Sequence, residues 1–232
     1  MVSSPVGPGY AFKPSPYSSH SRLLAAFPTD GRGKRVLDVG CAGGYLGALL
    51  AERGYQVTGV ERPGVCDATF PASVELIEAD LDAGLPRFDQ TFDYVLCADI
   101  LEHLREPVSL LRSVWAVLDP GGRLIASLPN SGNLYFRLNI LFGRFPQDDK
   151  GLFDRTHLHF YMWKGWIDLL AAGGFQMESV APTGIPVGLA LPQWEQTAAV
   201  QALETASYWA ALAWKRMFAY QFVVVARPES PG

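Results

Sequence analysis

Val36-Leu37-Asp38-Val39-Gly40-Cys41-Ala42-Gly43-Gly44 is the stretch that decides the fold. Its apolar opening reads as a short buried strand. A cluster of small residues follows, and Leu46, Leu49 and Leu50 then recur at helical spacing until Gly54 ends the helix. A strand that passes through glycines into a helix exposes backbone: glycine adopts dihedrals closed to other residues and lets a ligand approach the main chain, while the first N–H groups of the helix lack internal partners. A carboxylate or phosphate could sit there. Asp38 adds a second signal, because a charge inside an apolar strand needs a partner or a ligand to offset its desolvation.

Outward from this turn the pattern repeats. Segments 56–60, 74–77, 92–97, 123–128, 175–180 and 218–226 read as further strands, separated by helical or turn material. Pro107 stands where a helix N1 proline would, ahead of the stripe Val108, Leu111, Val114 and Leu118 and the turn Asp119-Pro120-Gly121-Gly122. Residues 163–172 form a helix ending at Gly173-Gly174, 193–214 form another, and 18–27 a short one before Pro28. Such βα alternation predicts an α/β fold: a Rossmann-like, seven-stranded, mostly parallel sheet with helices on both faces and an added lid. Residues 1–33 are expected to be an N-terminal arm and helix, and 34–232 one domain with insertions at 129–160 (irregular and aromatic-rich) and 181–217.

Bulk composition agrees. A chain of 232 residues suits a single core, and 49% hydrophobic against 18% charged residues argues for an ordered interior. The net charge of −4 gives no general attraction to nucleic acid, which is not expected as a partner. Cys41, Cys66 and Cys97 lack C-x-x-C spacing, so neither a disulfide framework nor a zinc site is suggested, and a reducing cytoplasm is the expected compartment. The start resembles no secretory signal. The apolar run 206–226 is broken by Lys215, Arg216 and Gln221, which speaks against a transmembrane segment.

Three later features join the glycine turn: Glu61 at the end of the second strand, Glu78-Ala79-Asp80-Leu81 after the third, and the run from Phe92 through Asp99-Ile100-Leu101-Glu102-His103 followed by Leu118-Asp119-Pro120-Gly121-Gly122-Arg123-Leu124. An acid after the second strand of a nucleoside-binding βαβ unit bonds ribose hydroxyls. Together these motifs resemble those of class I S-adenosyl-L-methionine (SAM)-dependent methyltransferases, and most of all the group that includes small-molecule O-methylases of the quinone-biosynthesis type. The resemblance runs from about residue 34 to 180. It implies a transferase with SAM as cofactor. Gly40, Ala42 and Gly44 would then surround the methionine part, with Asp38 organising their loop. Glu61 would hold the ribose, Asp80 and the Leu81 backbone the adenine, and Cys97 to Asp99 would line the amino-acid and methyl region. Ala42 departs from the commoner glycine. Aligning G-x-G-x-x-G on Gly40 puts Tyr45 at the third glycine, which speaks against a nicotinamide-dependent oxidoreductase; a SAM-binding protein without catalysis is the other alternative.

Methyl transfer from a sulfonium is an in-line displacement, and an alcohol acceptor also profits from a base. Histidine is the side chain best placed to take that proton at neutral pH. His157 and His159, in Asp154-Arg155-Thr156-His157-Leu158-His159, and His103 are the candidates. Asp154 could orient one of the pair 157/159; the competing reading has both bonding backbone carbonyls to pin the insertion. His20 is expected to be exposed. Aromatics interleaved with Asn and Arg in 129–160 predict a pocket wall for a small-molecule acceptor, with a sugar hydroxyl as the expected target and a quinone, phenol or lipid-like acceptor as the alternative. Asp148-Asp149 and Asp99 could in principle bind a magnesium ion, but adjacent surface acids are usually only solvated, so no metal is expected. The late helix offers a face for a homodimer.

Overall fold

In a computed structural model, which describes residues 15–194 and 196–229, the predicted alternation becomes a seven-stranded sheet. Residues 1–14 of the expected arm lie outside this description. The strands are β1 (Arg35–Val39), β2 (Gln56–Glu61), β3 (Val74–Glu78), β4 (Phe92–Ala98), β5 (Leu118–Pro129), β6 (Phe175–Pro182) and β7 (Gln221–Pro228). Their order is β3-β2-β1-β4-β5-β7-β6. Neighbours among β1 to β5 are parallel, and β7 runs antiparallel between β5 and β6.

Successive residues of a strand face opposite sides of the sheet, and here both sides are buried. Val36, Leu96, Ile125 and Val223 pack beneath α1 (Ser19–Ala26) and α2 (Tyr45–Glu52), against Leu23, Leu24, Leu46 and Leu50. Leu37, Val95, Leu124 and Val224 face the other way, toward Leu110, Leu111 and Val114 of α3 (Pro107–Val117) and Trp166, Leu169 and Leu170 of α5 (Trp163–Ala172). Coverage of both faces explains why the central strands read as continuous apolar runs.

The departures from expectation are local. Residues 129–160 are not wholly irregular: Asn133 accepts from the Tyr135 amide at 2.9 Å and starts α4 (Leu134–Leu141). The buried amides of Asn130 and Asn133 donate to the Ala219 carbonyl at 2.8 and 2.9 Å and tie the entrance of α4 to the approach to β7. That last strand begins at Gln221 rather than 218 because Lys215–Phe218 closes a helical turn, α8. The predicted helix over 193–214 is shorter, α7 (Ala198–Ala213), capped by Thr197 and preceded by the single turn α6 (Val187–Ala190). β5 starts at Leu118, with Asp119 to Gly122 forming an irregularity opposite the step from Phe92 to Tyr94.

His20 is a clear correction. It is 2% exposed, because α1 packs against β5, β7 and α2 instead of standing free.

Candidate active site

A cavity of about 630 Å³ opens at the C-terminal ends of β1 to β4. The strand order reverses between β1 and β4, and at such a switch point the flanking connections leave in opposite directions and a crevice forms. Asp38 from β1, Gly40 and Ala42 from the turn that follows, Glu61 at the end of β2, Asp80 and Leu81 after β3, and Ala98 and Asp99 at the end of β4 line it. His103 and the stretch Asp149, Lys150, Asp154, Arg155 and Thr156 form a further part of the wall.

The cofactor half is a taut loop. Gly40 has φ +75°, and a Cβ there would meet the Ile100 side chain at 2.8 Å. Ala42 also lies in the left-handed region, at φ +45°, a strained state for a residue with a Cβ. Two contacts hold it there: its N–H donates to Glu61 Oε2 at 2.8 Å, and its carbonyl accepts from the Cys66 thiol at 3.1 Å. Glu61 Oε1 accepts from the Arg62 amide at 2.8 Å. A carboxylate has about four acceptor sites, so two such bonds fix Glu61 and leave capacity for two vicinal hydroxyls. Asp38 is 1% exposed. Burial, and after it the charge of Glu61, pushes its carboxyl up to about 7. Asp80 caps the 3-10 turn Leu81–Ala83 by accepting from the Asp82 amide. Asp99, at φ +52°, is anchored by Ser127 Oγ at 2.5 Å and Gln221 Nε2 at 2.8 Å.

Two residues expected at the cofactor, Cys97 and Gly44, do not themselves line the cavity. Cys97 is fully buried in the core, where burial pushes its thiol up; only its successors Ala98 and Asp99 reach the cavity. Gly44, between the wall residues Ala42 and Tyr45, is the N-cap of α2 at φ +71°, and a Cβ on it would meet Phe70 at 2.7 Å, so the helix start fits closely against the loop after β2.

In the acceptor half the three histidines separate. His103, after β4, is the one on the cavity wall. Its Nδ1 lies 3.2 Å from the Thr156 carbonyl and 3.0 Å from Thr156 Oγ1, and that hydroxyl donates to Asp154 Oδ1 at 2.6 Å. Both Thr156 oxygens therefore present lone pairs to Nδ1. The network assigns the hydrogen to Nδ1 and the lone pair to Nε2. Asp154 thus orients a histidine, but His103 rather than His157 or His159. His159 bonds the Leu104 carbonyl at 2.9 Å and pins the insertion. His157 packs behind the wall against His103, with ring centroids 4.7 Å apart; burial first, and His103 second, push it down to about 4.

Sequence reading missed two groupings. His20 lines the cavity, 3.0 Å from Tyr45 Oη; the apolar spacing of 18–27 already implied that this helix packs, which was the available signal. The second joins Glu102, His103 and His157, whose ligand atoms all lie within 4.8 Å of one another. No spacing in the sequence announces it, since the backbone N–H groups of Leu158 and His159 bring the insertion to the Glu102 carbonyl. The second insertion, 181–217, contributes none of its described residues to the cavity wall: Tyr208 stacks on Tyr17 and sits under Arg22, beside α1. Among the described residues no helix is long and apolar enough to cross a membrane.

A family model described as a methyltransferase domain matches residues 16–180, so the chain belongs to that family; the match takes in α1, ahead of residue 34. A ubiquinone biosynthesis O-methyltransferase from Pseudomonas entomophila (strain L48) is 33% identical over 116 residues, 47% of this chain and 50% of that protein. The chain thus spans about half the length of the curated relatives it matches. Among solved structures, the 1,6-didemethyltoxoflavin-N1-methyltransferase of Burkholderia thailandensis, with bound S-adenosylhomocysteine, superposes with TM-score 0.58 at 18% identity, covering 91% of this chain and 76% of that one. The [4+2]-cyclase SpnF superposes with TM-score 0.59 at 21% identity, covering 91% and 81%. These likenesses show the fold. The chain thus carries a methyltransferase domain, and the residues present would fit SAM as its cofactor: a glycine turn open to backbone approach, a held carboxylate with spare acceptor sites, and a cavity within the usual ligand range of about 300–1,000 Å³.

Proposed function

We infer that the protein methylates a hydroxyl oxygen on an aromatic small molecule, a phenol of quinone type. The observation that carries this reading is His103 on the cavity wall, with Nε2 left as an acceptor by the Thr156–Asp154 network. SAM supplies a methyl group on a sulfonium. The chain's own residues hold the cofactor through Glu61 and the loop Gly40 to Ala42, and aim the acceptor's O–H at His103, which takes its proton as oxygen attacks.

A sugar acceptor has less support than the aromatic content of 129–160 suggested. Phe136 and Phe153 stack on each other at 4.3 Å, with Phe145 and Phe160 packed around them, and none of these rings lines the cavity. Phe136 and Phe153 are buried within the insertion, and the exposed faces of Phe145 and Phe160 lie outside the cavity wall. The names of the relatives point to an O-acceptor in quinone synthesis. The test is transfer of labelled methyl from SAM to matched panels of phenols and sugars. The expected result is labelling of phenols; exclusive labelling of sugars, amines or carboxylates would refute the reading.

A further inference from the structure

α7 is turned inside out for a surface helix. A helix on the outside of a domain normally points its apolar stripe inward and its polar face at water. Here the polar side chains are used on the inner side. Glu204, the sole charged residue of Ala198–Ala213, accepts from Ser15 Oγ and from the Gly188 amide at 2.9 Å each. Ser207 Oγ accepts from the Ile185 amide at 2.8 Å, and Tyr208 stacks on Tyr17. On the outer side Gln201 is the one exposed polar residue; the others are alanines, Leu203, Trp209 and Leu212, the last three 57%, 64% and 45% exposed, and Trp214 follows at 55%.

A contiguous apolar surface of this kind marks an interaction site. Trp209 and Trp214 each leave on the order of 100–150 Å² bare, and with the leucines and alanines the strip from Ala198 to Trp214 offers roughly 700 Å². Two such strips, about 1,400 Å² together, fall within the range of roughly 1,200–2,000 Å² for a specific protein interface. The strip has no charge with which to select a partner of opposite sign, and α7 holds no Lys or Arg of the kind that a helix lying on anionic lipid carries. It does match itself. In an antiparallel pair centred between Thr205 and Ala206, Trp209 of one copy falls opposite the partner's Ala202, and Ala198 opposite the partner's Ala213, so each indole meets a position with room for it.

We propose that the outer face of α7 is a homodimer interface, an antiparallel helix pair formed with a second copy of this chain about a two-fold axis. No described residue of 181–217 lines the cavity, so the interface stands apart from the methyl-transfer site and independent of the acceptor reading.

The full chain is examined by sedimentation equilibrium at micromolar concentration, with the fold of each variant checked by circular dichroism. The expected mass is that of two chains, and Trp209→Glu should weaken the association at least ~30-fold, the scale of an interface hot spot. Register is read by cysteine cross-linking under mild oxidation. Ala206→Cys lies beside its own counterpart at the axis and should give a covalent dimer. Ala199→Cys stands about 20 Å from its counterpart along the helix pair and should give none. A wild-type chain that stays a monomer, a dimer that Trp209→Glu leaves unchanged, or equal cross-linking at both positions would overturn the interface. Sedimentation of the wild type with anionic phospholipid vesicles, lost in Trp209→Glu, would assign the face to a membrane and overturn it as well.

Discussion

The two halves of the cavity are built differently. The cofactor half consists of strand ends and the turns that directly follow them: Asp38 to Ala42, Glu61, Asp80 and Asp99 each leave a parallel strand at its C-terminal end. The acceptor half is assembled from segments more than fifty residues apart, with His103 bound to Thr156 and the Glu102 carbonyl to Leu158 and His159. Strand ends in one sheet are held by many ladder bonds at once. A loop strapped on by a few contacts can change without loss of the sheet, so the proposed function puts chemistry and acceptor choice in the half that is less constrained by the fold.

Mutations should separate the halves. His103→Ala has the largest expected effect, a fall in methyl-transfer rate on the order of 10²–10⁴-fold with S-adenosylhomocysteine affinity unchanged by calorimetry; a near-normal rate would break the assignment. Glu61→Ala should show the opposite pattern, losing about 1–3 kcal/mol of S-adenosylhomocysteine binding, the scale of a charge-assisted hydrogen bond. Equal loss of cofactor binding in both variants would mean that the halves are not independent.

The next prediction concerns Asp38 and pH. With its carboxyl pushed up to about 7, Asp38 keeps a proton in the folded chain between about pH 4 and 7 that the unfolded chain has released. Its contribution to stability is therefore present in full below about pH 4 and lost as pH rises through 7. In Asp38→Asn, melting temperatures at pH 5 and pH 8 should differ less than in the wild type, and an unaltered difference would show that Asp38 is not the titrating group. The smallest effect is expected from Ala42→Gly, which relieves the left-handed strain at φ +45°. Left-handed alanine costs roughly 1–2 kcal/mol, partly offset by the greater chain entropy that glycine loses on folding. A gain of about 1 kcal/mol, or 2–4 °C in melting temperature, should follow; a fall would mean that the Ala42 methyl makes a contact worth more than the strain.

The amino-acid sequence by itself determined the α/β class, the order of the strands along the chain, the glycine turn and the acids that follow β2 and β3, because all of these are written in local periodicity and in residues adjacent to it. Ala42 already stood out in the sequence as a departure from the commoner glycine. Only the tertiary structure decided that His20 is buried, that His159 pins a carbonyl while His103 meets the cavity, that Cys97 belongs to the core, and that an unpartnered Glu102 lies between two imidazoles. The physical reason is range. A turn or a strand end is specified by neighbours a few residues away, whereas the burial and partners of a side chain depend on which distant segment the hydrophobic core brings against it, and that pairing leaves no period in the sequence.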